Sequence, residues 1–384
     1  MSSIVLKLVA HTDARLKVVW CEGGDIPLCF EAYFVYRSQI DQCAQECRKL
    51  LNALVESYLQ GAYDRYAEIL RNLARQGSNL FYLLFDGAAE NREYAASVIK
   101  PWLASLEEGS RMTIFSDASL NVPWNVLFDG DERNVPATSV DLADYSAFWA
   151  FKYKLAVLYG GMAPKFLRIP RDRSTFKALS ILNREIFDHA RGLLTPNEVD
   201  TLESYLLYPE GSAQTTEECK SKWALLEKAD CLLYFFTHAS GVEIKLSSQD
   251  TLNVVDLKRK FLDPRRRGSG KIPEALIVLN GCNTGVGKLD SSFMTATSEA
   301  GCCGFIGTEA DLPTRFAIRF GMGLLHRILF AGESALEALD EMRRQHWPLG
   351  MLYTCYSHPD FRVSPDPQSK PDPTPRPLNL SFEG

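Results

Sequence analysis

Two short apolar runs constrain this chain more than any other feature: CLLYFF at Cys231–Phe236 and ALIVL at Ala275–Leu279. Each has the length of a strand, and neither alternates apolar with polar residues. A run without alternation needs cover on both faces, which is the pattern of a buried strand in a parallel sheet. The same signature recurs at Ala178–Leu182, Cys302–Gly307 and near Met351–Tyr356. Between and after these runs lie segments of helical character: Glu217–Lys228, Val254–Phe261, Phe293–Ala300, Arg315–Phe330 and Ser334–Gln345. Strands interleaved with helices predict an α/β fold with a mostly parallel sheet flanked by helices.

The chain before residue 165 has a different texture. Ile4–Ala10 and Leu16–Cys21 predict a hairpin, and apolar residues at spacings of three and four between Gln39 and Gln76 predict two packed helices broken near Gly61. A strand at Met112–Phe115 then leads through Ser116, Asp117 and Asn121 into the segment PWNVLFDG at Pro123–Gly130. The basic, proline-containing stretch Lys165–Ser174 is expected to connect this α/β half, residues 1–165, to a second domain at 166–363. The last residues, 364–384, are rich in Pro, Asp and Ser and predict a disordered tail.

Composition narrows the function. With 384 residues, 46% apolar and 23% charged, the chain can bury two cores. A net charge of −6, with one short basic cluster at Arg265–Arg267, does not supply the broad basic face that nucleic acid requires. No run of 18 apolar residues and no N-terminal signal pattern is present, so no membrane partner is expected and the cytoplasm is the expected location. Ten cysteines at irregular spacings then predict free thiols. Cys43 and Cys47 lack further ligands in sequence, so neither a metal nor a cofactor is expected.

The two runs that fix the fold also carry its chemistry. In an open parallel sheet, crevices form beyond the carboxyl ends of the strands, and His238 and Cys282 both lie just past such ends. An imidazole beside a thiol can take its proton and later return it to a leaving amine. Gly281 and Gly285 allow the sharp turn that would aim the Cys282 amide at a developing oxyanion, with Ala239 or Ser240 as the second donor. Any one Cys or His taken alone is more often a packed side chain. Two at strand ends, one in the small polar turn NGCNTG, favour catalysis.

An apolar strand ending in His and a small residue, followed about forty residues later by one ending in a small residue and Cys, resembles the caspase, legumain and separase group. SDASLNVPWNVLFDG at Ser116–Gly130 is similar to the Pro-Trp-Glu-x-Leu element of CHAT domains, with Asn125 where Glu is usual. The segment from Ala300 to Arg344 resembles the strand, pocket loop and two closing helices of the same family, although Ala310 stands where Trp is common and Thr314 replaces an acid. The resemblance covers nearly all of residues 40–362. It implies a caspase-like C-terminal half preceded by a non-catalytic N-terminal half. It further implies a cysteine endopeptidase that cuts a specific protein partner after activation by another protein, with a role in bacterial defence. Asp311 and Glu309 fall where the first specificity pocket lies in related peptidases, and an acid there would bind a basic P1 side chain. Arg265–Arg267 would then suit self-cleavage, though a solvated basic loop fits them better. The rival function is a catalytically silent interaction module on the same fold.

Overall fold

The computed structural model describes residues 3–365 apart from 13–14, 24–27, 86–92, 94–95, 98–99, 117–120, 160–167, 172–175, 207–211, 214, 227–229, 258, 260–274, 287–291, 300–301, 303, 358 and 360. The chain divides into two units, residues 1–160 with 343–354 and residues 161–342 with 355–384.

The first unit opens with β1 (Ser3–Thr12), β2 (Arg15–Gly23) and β3 (Leu28–Tyr36), an antiparallel meander. Strands β4 (Ser110–Ser116) and β5 (Tyr153–Tyr159) extend it in parallel, in the order β3-β2-β1-β4-β5. The helices Arg37–Leu59 and Tyr66–Phe85 are separated at Gly61, as the break in periodicity predicts. The PWN segment is core. Trp124 and Trp149 are fully buried and stacked at 6.4 Å, and Phe85 stacks on Trp149 at 5.7 Å.

Asn125, the departure from the resembled element, has a structural reason. It is fully buried, and its Nδ2 donates to the carbonyls of Met351 and Tyr353, both at 2.9 Å, and to Thr354 Oγ1 at 2.6 Å. Main-chain carbonyls only accept, so this site calls for a donor that a carboxylate lacks.

In the second unit, β6 (Arg168–Arg171) pairs in parallel with β16 (Arg362–Pro365). The main strands are β7 (Phe176–Leu182), β8 (Ser212–Ala213), β9 (Asp230–Phe236), β13 (Ala275–Asn280) and β14 (Gly304–Thr308), in the order β14-β13-β9-β7-β8. Neighbouring strands in this order pair in parallel. β15 (Tyr353–Ser357), whose first two residues belong to the first unit, follows the helices Thr314–Leu329 and Ala335–Gln345 in the chain. Every residue of β13 and β14 is buried, and because successive side chains point to opposite faces, both faces are covered. A second, antiparallel sheet of short strands joins β10 (His238–Ala239), β11 (Glu243–Lys245) and β12 (Thr251–Asn253). The helix expected at Val254–Phe261 is seen as a single turn, Val254–Asp256, and part of its remainder lies outside the described residues. No helix of the described residues is long and apolar enough to cross a membrane.

The burial of β13 sets a stability expectation. Ile277 is fully buried, so Ile277→Ala should cost about 2–5 kcal/mol through lost transfer energy and the cavity left behind. Urea unfolding followed by circular dichroism measures it. A loss below about 1 kcal/mol would mean that β13 is not a central strand.

Candidate active site

The ladder between β9 and β13 sets Phe236 opposite Asn280. His238 and Cys282 therefore each lie two residues past the same rung, at the carboxyl end of adjacent parallel strands. Backbone contact joins the two strand ends. A Cβ built on Gly281 would meet the Thr237 carbonyl oxygen at 2.7 Å and the Ala239 Cβ at 3.0 Å. Only glycine lets these two segments approach so closely.

Two buried threonines shape the turn that carries Cys282. Thr284 Oγ1 donates to the Leu279 carbonyl at 3.1 Å and accepts from the Thr308 amide at 3.0 Å. Thr308 Oγ1 donates to the Gly281 carbonyl and accepts from the Thr284 amide at 3.3 Å. Each hydroxyl thus gives one hydrogen bond and takes one, which closes the turn onto the end of β14. Asn283 completes it in the left-handed region, at φ 53°, where Asn is tolerated better than most residues. Its amide donates to the Ala310 carbonyl at 3.0 Å. Below β13, Asn280 Nδ2 donates to Tyr234 Oη at 2.6 Å and to the Ala317 carbonyl at 2.7 Å, which ties the strand end to the helix Thr314–Leu329.

The thiol of Cys282 is partly accessible, and its immediate neighbours come from the loop after β14. The Leu312 amide donates to Sγ at 3.4 Å. In the same loop, Asp311 Oδ1 accepts from Asn283 Nδ2 at 2.6 Å. Burial is the largest influence on the thiol and pushes its pKa up. The charge and hydrogen bond of Asp311 add to that rise, and the Leu312 amide opposes it. The His238 side chain is exposed and, among the described residues, has no hydrogen-bond partner. The strand ends bring His238 and Cys282 into one neighbourhood, while the hydrogen bond at the sulfur comes from the Leu312 amide.

The other residues singled out by sequence fall as follows. Glu309 is fully buried and accepts from Tyr356 Oη at 2.6 Å, directly under the turn: a Cβ on Gly285 would lie 3.0 Å from that hydroxyl and 3.2 Å from the Glu309 carboxylate. Ala310 is buried as well. Ala239 stands on β10, opposite Ile244. Ser240, the alternative second oxyanion donor, needs a correction, because its amide donates to the Glu243 carbonyl at 2.8 Å and is committed to the hairpin. Arg265–Arg267 lie outside the described residues. Sequence reasoning missed Thr308, Leu312 and the anchoring role of Asn283. An Asn just after a candidate nucleophile was the one available hint, since Asn is enriched at left-handed positions.

No family model matches the chain, and no curated protein matches it. Among solved structures, a chain of the Saccharomyces cerevisiae separase–securin complex is similar with a TM-score of 0.51 at 11% identity, over 95% of this chain and 30% of that one. This chain thus spans about a third of the length of that match. The Arg-specific cysteine proteinase gingipain R aligns at 10% identity over 72% of this chain and 69% of its own, with a TM-score of 0.45. At such identities the likeness is one of fold. The chain has a mixed α/β fold of the caspase-like kind, a mostly parallel sheet flanked by helices.

Proposed function

We propose that this chain is a cysteine endopeptidase of the CHAT type, with Cys282 as nucleophile and His238 as general base and acid. One observation carries the reading: the two residues stand at equal distances beyond a shared rung of adjacent parallel strands, with the main chain of Gly281 packed on Thr237 and Ala239. A crevice at strand ends is where such a fold binds ligands.

In the reaction, His238 takes the thiol proton and the sulfur attacks the scissile carbonyl carbon. An S–C bond forms while the carbonyl π pair moves onto oxygen, facing the amides of Cys282 and Ala239. The oxyanion then collapses, the C–N bond breaks, and His238 gives its proton to the departing amine. Water hydrolyses the thioester by the same steps and restores the thiol. Glu309, buried under the turn against Tyr356, supports the loop that would hold the first substrate side chain. A protein substrate, an activating protein partner, a cytoplasmic location and a role in defence rest on the CHAT resemblance.

The catalytically silent alternative has one observation in its favour, namely that the exposed His238 ring is hydrogen-bonded to none of the described residues. New protein N-termini, profiled in cells expressing the wild type or His238→Ala, decide between the two. A peptidase should create a defined set that falls by about 10²–10⁴-fold in the variant. Identical sets would leave the interaction module as the function.

A further inference from the structure

We propose that Thr308 is a positioning residue for the oxyanion: its hydroxyl holds the Gly281 carbonyl towards the core and so keeps the Cys282 amide, the other half of the same peptide unit, turned to the crevice. The inference rests on the peptidase reading and adds to it a residue that touches neither substrate nor sulfur.

A peptide unit is planar, and in its trans form the carbonyl and the N–H point to opposite sides. The bond between Gly281 and Cys282 is trans. Whatever fixes the Gly281 carbonyl therefore aims the Cys282 amide. Thr308 Oγ1 donates to that carbonyl at 2.5 Å, and Thr308, the last residue of β14, is fully buried. The hydroxyl has a single proton to give, and its oxygen is held in turn by the Thr284 amide at 3.3 Å. The carbonyl is thus drawn inwards, and the Cys282 amide faces away from the buried side. Among the described residues, no main-chain carbonyl takes that amide up.

Gly281 makes such a restraint necessary. Its contact with Thr237 and Ala239 admits no side chain, and glycine lacks the Cβ that limits rotation in other residues. The next peptide has its own anchor, since the Asn283 amide donates to the Ala310 carbonyl at 3.0 Å. Without the Thr308 hydroxyl, the Gly281 carbonyl would lose the donor that satisfies it and would turn towards water at the crevice. That rotation carries the Cys282 N–H off the oxyanion. Attack of the same sulfur on a saturated carbon forms no oxyanion and would not register the change.

Two small probes separate these properties, and neither needs a recognised side chain. p-Nitrophenyl acetate acylates the thiolate through a tetrahedral oxyanion: an S–C bond forms, the ester C–O bond breaks and p-nitrophenolate leaves. Its absorbance is read after subtraction of the Cys282→Ala background. Iodoacetamide alkylates Cys282 without an oxyanion and is followed by mass spectrometry of the tryptic peptide. Loss of one oxyanion donor costs about 10²–10³ in kcat for amide cleavage. With the activated ester, Thr308→Val and Thr308→Ala should each acylate at least about tenfold more slowly than the wild type, with alkylation within about twofold. Thr308→Ser, which keeps the donor, should retain both rates. Thr284→Val is the structural control. It deletes an equally buried hydroxyl from the same turn, but one that donates to Leu279, so its ratio of acylation to alkylation should stay near that of the wild type.

An unchanged ratio in Thr308→Val and Thr308→Ala overturns the proposal, and so does an equal fall in Thr284→Val. Acylation and alkylation falling together, or Thr308→Ser as slow as Thr308→Val, would make Thr308 a support of the turn alone and overturn it as well. If the wild type releases p-nitrophenolate no faster than Cys282→Ala while iodoacetamide still labels Cys282, the thiol has no acyl-transfer chemistry. The peptidase reading then fails and takes the inference with it.

Discussion

Cys282→Ala is expected to abolish proteolysis, lowering the rate by more than about 10³-fold, because the reaction has no other sulfur to form the acyl intermediate. The fold should survive. The turn is built from the hydroxyls of Thr284 and Thr308 and from main-chain groups, none of which the substitution touches. The substitution removes the acceptor for the Leu312 amide, worth about 1 kcal/mol in a partly accessible site. Urea unfolding should therefore give nearly the wild-type midpoint. Cleavage by Cys282→Ala at the wild-type rate would move the nucleophile elsewhere. Cys219 is a poor substitute in any case: it is buried and its thiol is pushed up to about 12, chiefly by that burial.

Asn125→Asp is expected to be among the most destabilising single-atom exchanges in the chain. The shape is preserved, but a carboxylate would face the carbonyls of Met351 and Tyr353 at the positions where Nδ2 now donates. A buried charge without a donor costs about 3–5 kcal/mol, or shifts its pKa and neutralises instead. Its folded pKa would therefore be raised above the unfolded value. The penalty is absent below the ordinary Asp pKa of about 4 and grows as pH rises towards the folded value. Thermal unfolding of wild type and variant from pH 3 to pH 8 should show the gap opening with pH. A gap that is small or independent of pH would mean that Asn125 is not buried as described.

Part of this was legible in the sequence, for physical reasons that differ by element. β9 and β13 declared themselves as unbroken apolar runs, and the helices Arg37–Leu59 and Tyr66–Phe85 as periodic stripes with a break at Gly61. β5 escaped notice because it follows the four-residue helix Trp149–Lys152 without a turn signal, inside one continuous aromatic and aliphatic stretch. The strands β10–β12 have two or three residues each, too few for a period-two pattern to show. His238 and Cys282 stood out because strand ends can be located from strands. The contact between Asn283 and Asp311 could not be found that way, since it joins residues 28 apart in sequence through the pairing of β13 with β14.

The close approach at Gly281 has a consequence for how such a site can diversify. Its neighbours are the carbonyl of Thr237 and the first side-chain carbon of Ala239, atoms shared by nearly every amino acid. The separation between imidazole and sulfur is therefore ruled by main chain, while the groups that would choose a substrate sit on the loop after β14. If His238 and Cys282 act as the proposed pair, reactive spacing and selectivity are inherited from different stretches of polypeptide. A lineage can rewrite residues 309–312 to meet a new target without retuning the distance on which the chemistry depends.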